Sequence, residues 1–191
     1  MARGQGSAPV SPNALRSRVV ELVQEVQRLP YVWPASPDAA SARTAGSGTC
    51  ASKHALLAEG LDAIGIQSHP LFVVGRLIPD RFAEDEDLRD GLSLLEVHEC
   101  LTVTTPWAGP LRVDVTWDPA LVRWGLPGTL DWDGASDMSL ALDAIGPGWA
   151  VSRDGLRDAK ESLRSRLYAP GQRDVRDRVL RDIAARFALV R

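Results

Sequence analysis

Along residues 13–29, apolar positions recur at helical spacing through Leu15, Val19, Leu22, Val23 and Val26, the pattern of a helix with one buried face. Ser11-Pro12 supplies an N-cap followed by a proline in the first turn, and Pro30 stops the run. A second helix is predicted over 49–64, where Leu57, Leu61 and Ile64 form a stripe and Gly65 provides the terminating cap. Cys50 falls on the same stripe, in the first turn. Residues 71–78, LFVVGRLI, have the apolar density of a core strand. Residues 94–103 alternate: Leu95, Val97, Leu101 and Val103 share one parity, and His98, Cys100 and Thr102 the other. A turn follows at Trp107-Ala108-Gly109-Pro110. Residues 111–117 then alternate again, with Leu111, Val113, Val115 and Trp117 opposite Arg112, Asp114 and Thr116. The last two strands read as an antiparallel pair.

The remaining segments are irregular in pattern. Residues 1–10 read as a loose polar tail, 31–48 as a long loop rich in Pro, Ser, Ala and Gly, and 80–91 as a solvated acidic loop. Residues 118–149 read as a Trp- and Gly-rich loop region, with Asp118-Pro119 as a turn. Residues 152–168 and 172–190 pattern as two charged amphipathic helices, the second with a stripe of Val175, Val179, Leu180, Ile183 and Phe187. Helix, strands, then helices predicts an α+β domain over 11–191, with its core over 45–120 and C-terminal helices over 152–190.

Composition narrows the classes. The 191 residues are 45% hydrophobic and 25% charged, with a net charge of -3, which fits one globular domain. That mild acidity argues against a nucleic-acid partner, which needs a basic face. No apolar run approaches the roughly 20 residues that span a bilayer, and the start lacks an apolar signal core. Two cysteines are too few for a disulfide scaffold. The expectation is a soluble cytoplasmic protein without a membrane or nucleic-acid partner.

Nucleophile and base candidates are scarce: Cys50 and Cys100, His54, His69 and His98. A cysteine acts as thiolate, and the first turn of a helix lowers its pKa through free N–H groups and the helix dipole. Cys50 has that position, after Gly46-Ser47-Gly48, and the same N–H groups suit an oxyanion. Its base should be an imidazole oriented by a carboxylate. His98 and Asp114, each opposite its strand's apolar set, point to one side if the strands pair.

The segments GSGTCASKHALLAEGLDAIGI, VHECLTV and GPLRVDVTWDP resemble the transglutaminase-like cysteine superfamily. The matching blocks are Gly48-Thr49-Cys50, Val97-His98 and Val113-Asp114-Val115-Thr116, within about residues 45–120. The resemblance implies a papain-like core, with a nucleophile helix packed on an antiparallel sheet and a Cys50, His98, Asp114 triad. It implies cleavage or transfer of an amide or acyl group of a peptide, protein or small molecule, through a thioester on Cys50, with no cofactor or metal.

Alternatives stand beside it. His54, one helical turn after Cys50, can assist or replace His98, and Asp118 rivals Asp114. Thr49 and Trp33 are auxiliary candidates, and Tyr31 and Trp33 can line a substrate groove. The other tryptophans, Trp107, Trp117, Trp124, Trp132 and Trp149, are mainly packing residues. Lys53 reads as a solvated cation and His69 as a loop residue. Cys50, His54, His98 and Cys100 together have the number and type of a structural zinc site. A Cys50–Cys100 disulfide is a further arrangement, and an inactive protein-interaction domain of the same fold is the third class.

Overall fold

The computed structural model of the protein describes residues 11–186. The expected tail at 1–10 lies outside them, as do Phe187 and the rest of the expected helical stretch at 187–190. The fold is α+β. Helix α1 (Pro12–Gln27) starts on Ser11, whose hydroxyl accepts from the Ala14 N–H. Helix α3 (Cys50–Ala63) begins with a reciprocal capping box between Thr49 and Ser52. It ends in a Schellman motif: Gly65, at φ 76°, donates to the Asp62 carbonyl and Ile66 to that of Leu61.

Five antiparallel strands follow: β1 (Gln67–Arg76), β2 (Leu95–Thr105), β3 (Gly109–Val113), β4 (Asp143–Ala144) and β5 (Trp149–Ala150). Their order is β3-β2-β1-β4, with β5 also on β1. The β1–β2 ladder runs unbroken from Gln67 opposite Thr104 to Arg76 opposite Leu95. His69 is therefore an exposed strand residue, not a loop residue.

One core joins Val19 and Val23 of α1, Leu57 and Leu61 of α3, and Leu101, Val103, Leu111 and Val113 of the sheet. Burying each such Leu contributes roughly 1.5–3 kcal/mol. A second core joins Tyr31, Leu77, Ile78 and Trp117 to Leu121 of α4 (Pro119–Trp124) and to Val179, Leu180 and Ile183 of α6 (Gln172–Ala185). Helix α5 (Leu156–Leu167) contacts β2.

Several expectations are corrected. The loop at 31–48 contains helix α2 (Ala39–Ala45), capped by Asp38 and closed by Gly46 at φ 61°. It is short and Ala-rich, without the apolar stripe that marks longer helices. The acidic segment is not merely solvated: Phe82 and Leu88 are buried, and Asp85, Asp87 and Asp90 pair with Arg186 and Arg178 of the C-terminal helical region. The strand expected at 111–117 is paired with β2 only through Val113. Beyond it the chain runs between the two cores, Val115 entering the first and Trp117 the second. Asp118 is a cap rather than a plain turn: its carboxylate accepts from Ala120 and Leu121 at the start of α4 and from the Tyr31 N–H. The region after it also supplies β4 and β5. Among the described residues no helix is long and apolar enough to cross a membrane.

Candidate active site

Cys50 is the first residue of α3 and is half-buried. It faces a cleft of about 830 Å³ lined by Trp33, Thr49, Ala55, Glu99, Lys160 and Arg164, among others. The cap consumes the N–H groups of Ser52, on the Thr49 hydroxyl, and Lys53, on the Thr49 carbonyl. The N–H groups of Cys50 and Ala51, at the open end of the helix, take no part in that cap. No acidic residue in the first turn opposes the dipole.

His98 comes from β2 and is 4% exposed. Its Nε2 lies 2.7 Å from Asp114 Oδ2, which leaves Nδ1 as the nitrogen that can serve the Cys50 thiol; the two side chains are near enough for each to shift the other's pKa. The last β2–β3 pair is Leu101 with Val113. One step further would set Asp114 across from Cys100, diagonal to His98 and on the same side, within reach of a side chain. The parity argument therefore holds even though Asp114 lies just past the strand.

Asp114 is fully committed. Oδ2 also accepts from the Ala141 N–H at 2.8 Å, and Oδ1 accepts from the Thr116 N–H at 3.1 Å. Burial alone would raise its pKa; the His98 charge and these hydrogen bonds overcome that and hold it well below the carboxylate range. For His98, burial favours the neutral ring, but Asp114 and then Cys50 push its pKa up to about 10. For Cys50, burial raises the pKa, and Lys160 and His98 reverse the shift and lower it overall. An ion pair of thiolate and imidazolium is the resting state these neighbours favour.

His54 is adjacent but differently engaged. Nε2 accepts from the Val115 N–H at 3.1 Å, so the neutral ring carries its proton on Nδ1, which donates to the Cys50 carbonyl at 2.8 Å. Burial holds its pKa down at about 4. With both nitrogens bound to backbone, it braces α3 against residue 115 and presents no free base to the thiol. Thr49 contributes the cap. Trp33 lines the cleft with the Arg176 guanidinium 4.6 Å from its ring centre. Tyr31 is buried, 2% exposed with its ring 4.6 Å from that of Trp117; it does not line this cleft but a small space of about 20 Å³ shared with Cys50 and His98.

Cys100 is buried beside Val73 and Leu142, and burial pushes its thiol pKa far up. Both cysteines are free. Among the described residues no group of three or more His, Cys, Asp or Glu is placed to hold a metal, so the zinc arrangement is not formed.

Lys160 and Glu99 escaped the sequence reading, and Lys53 is placed differently from the expectation. Lys160 of α5 places Nζ 3.8 Å from Cys50 Sγ and 3.2 Å from Glu99 Oε2. Its signal is its place in the stripe Leu156, Lys160, Leu163, Leu167, where a cation interrupts an apolar face. Lys53 is wholly buried, not solvated, and donates to the carbonyls of Gln27, Leu29 and Thr116. It too sits at apolar spacing, four residues before Leu57.

No protein-family model matches the chain, and no curated protein matches it. Among solved structures it is similar to an M. smegmatis arylamine N-acetyl transferase, at 19% identity and a TM-score of 0.35. The similarity covers 59% of this chain and 42% of that one, so the chain spans less than half of that protein's length. The functional reading therefore rests on the geometry of the site.

Proposed function

We propose that the protein is a cysteine-dependent acyl-transfer enzyme of transglutaminase-like architecture, with Cys50 as nucleophile, His98 as general acid and base, and Asp114 as its orienter. The observation that carries the reading is His98 held by Asp114 at 2.7 Å, with the Cys50 thiol at a helix N-terminus beside a cleft and Lys160 3.8 Å from its sulfur.

In the cycle the Cys50 thiolate attacks the acyl carbon, a C–S bond forms, and the carbonyl π electrons move to oxygen. The N–H groups of Cys50 and Ala51 receive the oxyanion. Its collapse breaks the bond to the leaving group, which takes the proton from His98, and a thioester remains. Water or an amine then gives a proton to His98 and attacks the thioester, releasing the acyl group and restoring the thiolate. Asp114 stays ionised throughout and holds the ring by accepting from Nε2. The steps use only the chain's own groups. The substrate class is an amide or related acyl compound, borne by a peptide, protein or small molecule of a size to enter the cleft.

Iodoacetamide labelling tests this. Near pH 6 Cys50 should react at least about tenfold faster than a model thiol, while buried Cys100 stays unlabelled. An activated ester such as p-nitrophenyl acetate should leave an acyl group on Cys50, located by peptide mass, and none in Cys50→Ala. Labelling of Cys50 no faster than the model thiol would overturn the proposal.

A further inference from the structure

The C-terminal helix α5, outside the segments that carry the triad, brings a cation to the reacting sulfur. We infer that Lys160 is a further member of the reacting site, its ammonium holding the Cys50 thiolate alongside His98, with Glu99 tempering the charge the sulfur feels. The inference rests on the nucleophile role proposed for Cys50.

Geometry carries it. Lys160 Nζ is 3.8 Å from Sγ and 3.2 Å from Glu99, with the two charged side chains only 8% and 6% exposed. A buried ion pair is poor value as a structural device, because desolvation offsets most of its attraction. Nor is it needed to dock α5. Arg164 already binds Glu96 of β2 at 2.6 and 2.9 Å, and Tyr168 binds the same carboxylate at 3.0 Å. The pair's distinguishing feature is its contact with the thiol. At this distance a cation favours the thiolate over the thiol. Burial opposes thiolate formation, and the charge of Lys160 lowers the Cys50 pKa alongside His98.

The charged and titratable groups that bear on Cys50 are His98 and Glu99 from β2, Lys160 from α5 and the Tyr31 phenol, with Asp114 behind His98; Glu96 of β2, Arg164 of α5 and Arg176 of α6 line the space next to it. Arg164 and Arg176 are tied to Glu96, and Lys160 and His98 supply the positive charge that lowers the pKa of the sulfur. When the sulfur is acylated its charge disappears, while Lys160 keeps its contact with Glu99. Its effect is thus confined to the free thiolate, and substitution should move a pH profile rather than abolish chemistry.

The test is the pH dependence of Cys50 alkylation by iodoacetamide in the full chain. In Lys160→Met the midpoint should rise by about one pH unit or more. The high-pH plateau should be undiminished, because a more basic thiolate is the better nucleophile. Lys160→Arg should restore the low midpoint, and Glu99→Gln should move it below that of the unsubstituted protein. A Lys160→Met midpoint equal to an already depressed unsubstituted one would overturn this inference and leave the triad standing. An upward shift in Glu99→Gln, the direction expected if the pair merely seats α5, would also overturn it. An ordinary thiol midpoint in the unsubstituted protein would overturn both readings. If Lys160→Met does not fold, as judged by circular dichroism, the sign of the Glu99→Gln shift, downward for this inference and upward for a merely structural pair, still decides the matter.

Discussion

Lys53 shows how one side chain holds three parts of the site in register. Its ammonium, wholly buried, ties the end of α1, through Gln27 and Leu29, to the strand extension, through Thr116. Charged donors to backbone carbonyls are worth more than neutral ones, and losing the donor leaves buried carbonyls desolvated. Lys53→Met should therefore lower the free energy of unfolding by about 3–5 kcal/mol, measured by urea denaturation. A loss below about 1 kcal/mol would mean that the carbonyls find other partners. The same residue marks a limit of pattern reading. A lysine on a helix normally keeps its head in water; only the convergence of three carbonyls from distant segments makes burial tolerable.

At the scale of the element, the N-terminus of α3 is the critical construction. A Cβ on Gly48 would come 2.5 Å from Ser52 Oγ and 3.3 Å from Lys53 Cγ. Ser52 is half of the capping box, so the collision falls on the turn that presents Cys50. Gly48→Ala should cost about 1–3 kcal/mol and slow iodoacetamide labelling of Cys50. Unchanged melting and labelling would show that the turn can shift without loss. The limits of α3 were legible because caps are local chemistry: Thr49, Ser52 and Gly65 act within one turn of the helix ends. Helix α2 was not legible, since Ala-Ala-Ser-Ala-Arg-Thr-Ala has no stripe. The ending of β3 was not legible either. Residues 111–117 alternate throughout, but pairing stops where the chain leaves the sheet to pass between two cores.

Over the whole molecule, His54 and the site pair respond differently to pH. His54, near 4 in the fold and about 6.5 when unfolded, is neutral in the fold. Below about pH 6.5 the unfolded chain gains a proton that the fold refuses, so stability is lost as pH falls toward 4. That contribution is of order 3 kcal/mol. Where the Cys50–His98 ion pair is formed it adds little slope at neutral pH, because the folded pair holds one proton, on imidazole, and the unfolded pair also holds one, on the thiol. Urea titrations should thus show stability declining from pH 6.5 to 4.5, and a slope shallower by up to one proton in His54→Gln. An identical slope in that variant would assign the acid loss to other groups. Long-range charge pairing also appears only at this scale. The acidic segment 80–91 meets arginines of the C-terminal region, and Glu96 gathers Arg164, Arg176 and Tyr168.

The sequence by itself determined the α+β order, both ends of α3, the first core's apolar stripes and the candidates Cys50, His98 and Asp114. Those depend on periodicity, on capping and on the scarcity of nucleophile and base side chains, all local or compositional properties. Tertiary structure alone decided that His54 turns both nitrogens to the backbone, that Asp118 caps α4, and that Cys100 lies in apolar packing. It alone brought Lys160 to the sulfur, 110 positions along the chain. The reason is physical: a side chain's spacing selects a face, whereas its protonation and partners depend on which distant groups close around that face.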